Sequence, residues 1–356
     1  MNKKIIVDGV GNAGATTACA FKELTWPGGE HPLLELRDFG VWKRKHAQAG
    51  LVDWSWVGVS KAQAVDGYLR AAGWPANRLM AWRGDVRDRP RGDYQYSLTL
   101  AMTDSHACKN DSVLKARQAG SPSLAVGLGA GEAVIECFHA AGAGYCCIHG
   151  AEPSWCQRMP CLPNPGVSTT QLAWRASPDV VRTAGRLVAR IIGEYFATGV
   201  FPGGSGLHVH DDIVERFSFE LDANCIGPHD PPFAADEPRM IRMPARPGQW
   251  SLDELLSRVG AGACYADREV AWTWRCRRCG TSAQRVHTVH PAATCALCGA
   301  TMRAGLERAS GLTAAELAEF HRGPLTLADI GLAGETLIRC ATEIGAVVWI
   351  QLEVDP

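Results

Sequence analysis

Short apolar runs alternate with amphipathic stretches through the first half of the chain. The stretches at 15–24 and 61–72, and another that ends at Gln118, have the helical period and predict helices. Alternation of strands and helices favours an α/β fold with a doubly wound, mostly parallel sheet, whose ligand crevice lies at the carboxyl ends of the strands. The apolar runs that predict strands are rich in Ile, Val and Leu and lie at residues 5–7, 33–37, 97–102, 121–128 and 133–138.

A long amphipathic helix and a smaller C-terminal unit follow. Ser177 is a suitable N-cap, Pro178 suits a first helical turn, and Gly199 ends the apolar stripe between them. Residues 207–221 favour strand, whereas the Arg/Asp alternation at 83–91 predicts an exposed loop. The sequence also predicts a helix at 252–259, a cysteine-rich piece, a helix near 314–321 and a final strand at 346–354.

The first predicted strand ends in a glycine-rich turn. Gly9, Gly11 and Gly14 have G-x-G-x-x-G spacing, with Asn12 inside the turn and a predicted helix directly after it. Bare backbone N–H groups can approach a phosphate there, and the helix dipole favours negative charge at the same point. The turn is therefore a candidate nucleotide-phosphate site.

Charged residues lie at the ends of neighbouring predicted elements. Asp38 follows the second strand, where a ribose hydroxyl is held in sheets of this class, although a solvated loop aspartate is the alternative. Asp104 follows the strand at 97–102 and is a candidate Mg²⁺ ligand beside phosphate oxygens. Lys61 begins a helix, a position that opposes the helix dipole and so indicates an anion nearby.

Composition narrows the class of protein. The formal net charge of -1 gives no general electrostatic footprint for nucleic acid or for a membrane surface, and we expect neither partner. The first strand follows the N-terminus at once and no apolar run reaches the length of a membrane span, so we expect a cytoplasmic protein. Its 14 cysteines then favour thiols and metal ligands over disulfides.

Two CxxC pairs are the most specific local signal. Cys276, Cys279, Cys295 and Cys298 have the spacing of a closed, tetrahedral, structural zinc site, and we predict a zinc ribbon over 272–302. His208 and His210 fall on one face of a predicted strand, which favours an exposed strand edge over a metal site. A second zinc site is a weaker alternative, from Cys146, Cys147, His149, Cys156, Cys225 and His229.

Several of these residues fall into one known pattern. The order GVGNAG, then Asp38, then VGVSKAQAV with Lys61, then MTDSHACKN with Asp104, Lys109 and Asn110, resembles the ThiF/MoeB/E1 superfamily of ubiquitin-like activating enzymes. The resemblance spans about residues 4–199. The segments LTLADIGL and WIQLEVD resemble the C-terminal part of bacterial ThiF-type proteins that occur with E2-like partners.

The resemblance implies a Rossmann-like adenylation fold and an activity. It implies ATP-dependent adenylation of the C-terminal glycine of a ubiquitin-like protein, by a homodimer, within a bacterial conjugation or antiviral defence operon. It also implies that the glycine turn (Gly9, Gly11, Asn12, Gly14), Asp38, Lys61, Asp104, Lys109 and Asn110 hold ATP and Mg²⁺.

Many relatives then transfer the acyl group to a cysteine in a crossover loop and on to an E2-like protein. Cys161 in MPCLPNPG matches the Cys-x-x-x-Pro-Gly setting of that cysteine, with Cys156, Cys147 and Cys146 as alternatives. Relatives also carry a phosphate-binding arginine after strand two, and Arg44 in Lys43-Arg44-Lys45 is the candidate here.

These implications set the expected domains and the rival functions. We expect an ATP-binding adenylation domain at 1–200 with a crossover loop near 146–170, and a C-terminal region at 201–356 that contains the ribbon and a closing strand. One rival is a nicotinamide-dependent oxidoreductase with the same glycine turn. Another is a catalytically degenerate E1-like scaffold that only binds the modifier.

Overall fold

The computed structural model describes most of the chain. The described residues are 4–48, 52–129, 131–149, 177–210, 213–223, 225, 240–244, 250–265, 270–305, 308–309, 312–313, 325–333, 335, 337–342 and 347–353. They form two compact units, one of Met1–Val86 with Tyr94–Pro231 and one of Arg87–Asp93 with Pro232–Pro356. None of the described helices is long and apolar enough to cross a membrane.

The first unit contains a sheet of eight strands in the order β3-β2-β1-β4-β5-β6-β7-β8. The strands are β1 (Lys4–Asp8), β2 (Leu33–Arg37), β3 (Leu79–Trp82), β4 (Ser97–Ala101), β5 (Ser123–Leu128), β6 (Glu132–Phe138), β7 (Ser205–His210) and β8 (Ile213–Ser218). Strands β1 to β5 are parallel, and β6, β7 and β8 each run antiparallel to the strand before them. The predicted α/β class and the mostly parallel sheet are confirmed.

The helices of this unit connect the strands and cover the sheet. They are α1 (Asn12–Ala20), α2 (Arg44–Gln48), α3 (Lys61–Ala71), α4 (His106–Gln118), α5 (Tyr145–His149) and α6 (Pro178–Thr198). Helix α6 has the predicted ends, because the Ser177 side chain accepts from the Val180 N–H and Gly199 adopts φ 75°. Side chains of β1, β2, α1, α3 and α6 form one buried core.

The predicted domain boundary at residue 200 stays a prediction. In the structure β7 and β8, which lie beyond that residue, pair within the large sheet and belong to the first unit. The predicted helix near 314–321 lies outside the described residues.

The second unit contains two smaller sheets and one described helix, α7 (Leu252–Val259). One sheet has the order β15-β10-β16-β17-β9, and in the other β11 pairs with β12, β13 and β14. The strands are β9 (Met240–Pro244), β10 (Ala261–Tyr265), β11 (Val270–Cys276), β12 (Ser282–Thr288), β13 (Met302–Ala304), β14 (Arg308–Ala309), β15 (Leu312–Thr313), β16 (Leu337–Thr342) and β17 (Val347–Glu353). A capping box between Ser251 and Glu254 begins α7, and Gly260 ends it.

The segment Arg87–Asp93 corrects one expectation from the sequence. The sequence predicted an exposed loop at 83–91, but residues 87–91 of that stretch belong to the second unit, and Arg91 is only 2% exposed. The Arg91 N–H donates to Glu335 Oε1 at 2.9 Å, and its guanidinium lies 5.2 Å from the centre of the Trp349 ring. Pattern alone cannot anticipate this, because the residues that bury Arg91 lie far along the chain.

Candidate functional site

The glycine turn lies where the sheet order reverses. Strand β1 has β2 on one side and β4 on the other. The next strands in sequence, β2 and β3, extend the sheet on one side of β1, and β4 and β5 extend it on the other side, so the strand order reverses at β1. The Gly9 N–H donates to the Arg37 carbonyl at 2.9 Å, and the Met102 N–H donates to the Asp8 carbonyl at 2.7 Å. The carboxyl ends of β1, β2 and β4 therefore meet at this turn.

Each glycine of the turn meets a different steric demand. Gly9 has φ +93°, and a Cβ there would lie 2.6 Å from the Thr103 backbone nitrogen. A Cβ on Gly14 would lie 2.1 Å from the Gly9 carbonyl oxygen, so only glycine lets α1 pack this closely on the end of β1.

Gly11 has a different environment. It is the N-cap of α1, and a Cβ there would meet no heavy atom within 4 Å. Among the described residues no side chain caps α1, and the first turn of this helix has no acidic residue. The space beside Gly11 is thus open among the described residues, and the uncapped start of α1 is a suitable place for a phosphate.

Asp38 and Lys61 are joined through Gly40 next to this turn. Asp38, which is 7% exposed, accepts the Gly40 N–H on Oδ1 at 2.7 Å, and its Oδ2 lies 3.6 Å from Lys61 Nζ. The Lys61 N–H donates to the Gly40 carbonyl at 3.1 Å. A Cβ on Gly40 would lie 3.0 Å from Asp38 Oδ1 and 3.4 Å from Lys61 Nζ, so the small residue lets acid and base approach.

An aromatic cluster supports Lys61 from one side. Its Nζ lies 5.8 Å from the centre of the buried Trp42 ring, which in turn packs on His46 and Trp56. Burial, together with the charges of Lys61 and Lys45, lowers the pKa of His46 to about 4. The imidazole is thus neutral at pH 7, and Lys61 has no charged histidine beside it.

Asp104 and Lys109 lie at the start of α4. Ser105 is the N-cap, and its side chain accepts from the Cys108 N–H at 3.4 Å. Asp104 is exposed at the rim, whereas Lys109 is buried. Desolvation lowers the pKa of Lys109, and the charges of Glu136 and Asp104 act in the opposite direction.

The other residues predicted to bind ATP are Asn12, Asn110 and Arg44. Asn12 and Asn110 lie in the N-terminal parts of α1 and α4, and Arg44 lies on the surface of the first unit. Asn12 is the first residue of α1, and its Oδ1 is buried without a hydrogen bond to a described residue. Asn110 is half-buried on α4 next to Lys109, and Arg44 is exposed on the short helix α2. Among the described residues, Arg44 makes no hydrogen bond or ion pair with Asp38 or Lys61.

Beside α4 lies a cluster of polar residues of which the sequence indicated only His149, as a ligand of the alternative second zinc site. His149 Nε2 lies 2.9 Å from Glu136 Oε1, and the Tyr145 hydroxyl lies 2.7 Å from His106 Nδ1. The rings of His106 and His149 are 5.5 Å apart. Only Tyr145 and His149 share an element, α5, so their i, i+4 spacing was the one signal in the sequence.

The cysteines of the two CxxC pairs come together as predicted. Their Sγ atoms all lie within 4.8 Å of one another, and the separations of Cys276 from Cys298 and of Cys279 from Cys295 are 3.5 and 3.6 Å. Tetrahedral zinc with bonds of about 2.3 Å needs sulfurs roughly 3.8 Å apart. The cluster therefore fits a structural Zn²⁺.

A second group of thiols is formed by Cys146, Cys147 and Cys225. Cys225 and Cys146 have their Sγ atoms 3.2 Å apart, and the Gly144 N–H donates to Cys147 Sγ at 3.2 Å. Burial and the Cys225 thiol raise the pKa of Cys146 to about 12. These three residues could hold a thiophilic metal ion, whereas His149 is engaged with Glu136.

The other predicted candidates have simpler outcomes. His208 Nε2 lies 2.9 Å from Glu132 Oε2 on the neighbouring strand, and His210 is exposed. Cys161, Cys156 and His229 lie outside the described residues, so the role of Cys161 stays a prediction.

Comparison with known proteins gives matches only among solved structures. No family model and no curated protein matches the chain. A structure of Escherichia coli MccB with AMPCPP and MccA matches with TM-score 0.46 and 12% identity over 63% of this chain, and the match spans 66% of that chain, just under two thirds. The microcin C7 biosynthetic enzyme MccB with N-formylated MccA and the protein PaaA match with TM-scores of 0.47 and 12% identity, over 63% and 62% of this chain and 67% and 73% of theirs.

Proposed function

We propose that this protein uses ATP to adenylate the C-terminal carboxylate of a peptide or protein. The observation that carries the proposal is the Asp38–Gly40–Lys61 arrangement beside the uncapped start of α1. This arrangement combines a ribose-type acid, a lysine ammonium and a helix N-terminus that no described side chain caps, at the carboxyl ends of the strands. A nucleotide with several phosphates satisfies all three.

The position of Lys61 favours a polyphosphate over a single ribose. A lysine in the first turn of a helix opposes the dipole by about 0.3–1 kcal/mol, and its partner Asp38 is shared with the Gly40 N–H. Bound phosphate oxygens would offset that cost. In this proposal Asp38 accepts from the ribose hydroxyls, and Lys61 and the start of α1 neutralise the phosphates.

Each residue then has a task in the reaction. The substrate carboxylate attacks the α-phosphorus, its new O–P bond forms as the bond to pyrophosphate breaks, and the acyl adenylate remains. Asp104 suits a Mg²⁺ ligand, and that ion would supply charge neutralisation of the phosphates. The buried Lys109 and the α4 N-terminus lie beside Asp104, where they can orient the anionic carboxylate before attack.

A more specific hypothesis follows from the sequence resemblance. In it the substrate is a ubiquitin-like protein that ends in glycine, Cys161 takes the acyl group from AMP as a thioester, and an E2-like protein receives it. Arg44 is the candidate for a further phosphate contact, and the enzyme acts as a homodimer. The thioester step forms a C–S bond, breaks the bond to AMP and releases the thiol proton to solvent.

ATP–pyrophosphate exchange tests the proposal. The full chain is incubated with ATP, Mg²⁺, radiolabelled pyrophosphate and a candidate modifier from a neighbouring gene, with the modifier lacking its last glycine as control. Label that enters ATP only with the intact modifier supports adenylation.

Two other results favour the rival functions. Binding of the modifier without exchange favours the degenerate scaffold. Quenched fluorescence of NADH on titration with the protein, again without exchange, favours the oxidoreductase.

A further inference from the structure

The zinc-ribbon segment is cationic, whereas the whole chain is nearly neutral. Residues 270–305 contain five arginines and no aspartate, glutamate or lysine, whereas the complete chain has a net charge of -1. The arginines give a local charge of +5 with histidines neutral and cysteines protonated, and of +3 when the four cysteine thiolates hold Zn²⁺, since the thiolates and the ion together add -2. The neutral overall balance hides this patch, because acidic residues elsewhere in the chain cancel it.

Four of the five arginines point into solvent. Arg275, Arg277, Arg278 and Arg303 are exposed and make no ion pair with another described residue. The fifth, Arg285, is half-buried and donates to the Thr294 carbonyl at 2.8 Å. The ribbon therefore offers four guanidinium groups that no acid of the described chain neutralises.

Strand register places two of these charges side by side. Arg275 on β11 pairs directly with Arg303 on β13, and paired residues of antiparallel strands project from the same face. Like charges directly opposite one another destabilise a sheet. An anionic partner on this face would offset that repulsion, because each guanidinium would be attracted to it.

The other two arginines share the end of the ribbon with an exposed leucine. Arg277 and Arg278 form one knuckle, and Leu297, which is 74% exposed, lies in the facing knuckle. The four cysteine sulfurs lie within 4.8 Å of one another, so the two knuckles meet. Their shared tip is both cationic and apolar.

We propose that this arginine tip, composed of Arg275, Arg277, Arg278, Arg303 and Leu297, docks an acidic segment of another protein that also carries an apolar side chain. The guanidinium forks match carboxylates bidentately, and Leu297 gives the partner's apolar side chain a contact. A nucleic-acid strand would use the arginines alone. Every aromatic ring among the described ribbon residues is buried or half-buried, with Trp274 buried and Trp272 half-buried, so none is fully exposed for base stacking and the acidic protein segment fits better.

Fluorescence anisotropy with the full, zinc-loaded chain tests this proposal. The probes are a labelled 12-residue peptide of Glu and Asp with one central Leu, the same peptide with Gln and Asn, and a single-stranded oligonucleotide with equal charge. We expect the acidic peptide to bind most tightly, with affinity that falls steeply as salt rises.

Matched charge reversals locate the binding surface. Arg277→Glu with Arg278→Glu should weaken peptide binding at least about tenfold, because each change turns an attraction into a repulsion. Arg186→Glu with Arg190→Glu makes the same change in charge on the exposed face of α6 and should change affinity less than twofold. Leu297→Ser should weaken binding of the acidic peptide several-fold and leave binding of the oligonucleotide unchanged.

Other outcomes overturn the proposal. Tighter binding of the oligonucleotide than of the acidic peptide would show that the tip binds nucleic acid. An equal loss of affinity in the α6 control variant would show that the effect depends on the net charge of the whole chain and not on the tip. Unchanged binding by the Arg277/Arg278 variant, or by Arg275→Gln with Arg303→Gln if the first does not retain zinc, would remove the tip as the docking surface. Absence of peptide binding at low salt would do the same.

Discussion

Among single residues, Asp104 gives the sharpest test of the proposed chemistry. Asp104→Ala removes an exposed carboxylate at the end of β4, so we expect pyrophosphate exchange to fall by about 10²-fold or more while the fold persists. The matched control is Asp179→Ala, because Asp179 is also an acid at the start of a helix, α6. Exchange at the parental rate in Asp104→Ala would remove Asp104 from the mechanism.

Gly14 provides a test of the turn's geometry that does not depend on activity. Gly14→Ala places a methyl group 2.1 Å from the Gly9 carbonyl oxygen, a backbone atom that cannot rotate away. We expect a loss of about 2–3 kcal/mol or more in the free energy of unfolding, measured by urea denaturation.

Gly67→Ala is the control for this change. Gly67 lies inside α3 with no atom within 4 Å of its would-be Cβ, so alanine should stabilise by roughly 0.5–1 kcal/mol. Equal effects of the two substitutions would contradict the close packing of α1 on β1.

The stability of the element formed by α2 and its aromatic neighbours should depend on pH, because His46 lies in α2. The pKa of His46 is about 4 in the folded protein and near 6.5 in the unfolded chain, so below pH 6.5 protons bind preferentially to the unfolded state. Stability is therefore complete above pH 6.5 and falls as the pH drops towards 4. Between pH 7 and pH 5 we expect His46 to account for a loss of up to about 1 kcal/mol, because solvent partly screens this half-buried ring.

His46→Asn isolates this contribution. Asparagine keeps an acceptor for the Lys43 N–H, which donates to His46 Nδ1 at 3.0 Å, but does not titrate. Burial also lowers the pKa values of His106 and His287, so those residues give both proteins a common acid sensitivity. The quantity to compare is thus the difference between parent and variant, and equal pH slopes would show that His46 does not titrate as described.

Elements differed in how far the sequence could predict them. The glycine turn, β2 and α6 carry local signals at both ends, so their positions follow from the residues alone. Strand β3 was missed because it has four residues, of which Met80 and Ala81 are exposed at the edge of the sheet. Its identity as a strand depends on pairing with β2, which no local pattern records.

The residues of the candidate site also differ in how far the sequence could predict them. Asp38 and Lys61 could be predicted because each lies at the end of a recognisable element. The pairing of Glu136 with His149 could not, since β6 and α5 meet only in the folded chain. The arginine tip was hidden for another reason, because net charge is summed over the whole sequence whereas electrostatic potential depends on where the charges lie.

For the whole molecule, zinc content is a direct check on the ribbon. The ribbon's own core is small, with only a few buried side chains around Trp274, so the metal should contribute much of its stability. Cys279→Ser should lower zinc by one equivalent per chain, measured by elemental analysis of purified protein. Cys19→Ala is the control, because Cys19 lies on α1 and belongs to neither of the two groups of clustered thiols among the described residues; equal zinc in parent and Cys279→Ser would contradict the site.

The complete reaction with a modifier tests which thiol carries the acyl group. Nucleophilic attack needs a thiolate, and the pKa of Cys146, raised to about 12, leaves almost none at neutral pH. Cys161→Ala should therefore retain pyrophosphate exchange but lose the modifier-linked band that a reducing agent removes on a denaturing gel, whereas Cys146→Ala should keep both. If the band persists in Cys161→Ala and disappears in Cys147→Ala, the nucleophile lies on α5, beside Cys225, and adenylation at the glycine turn is unaffected.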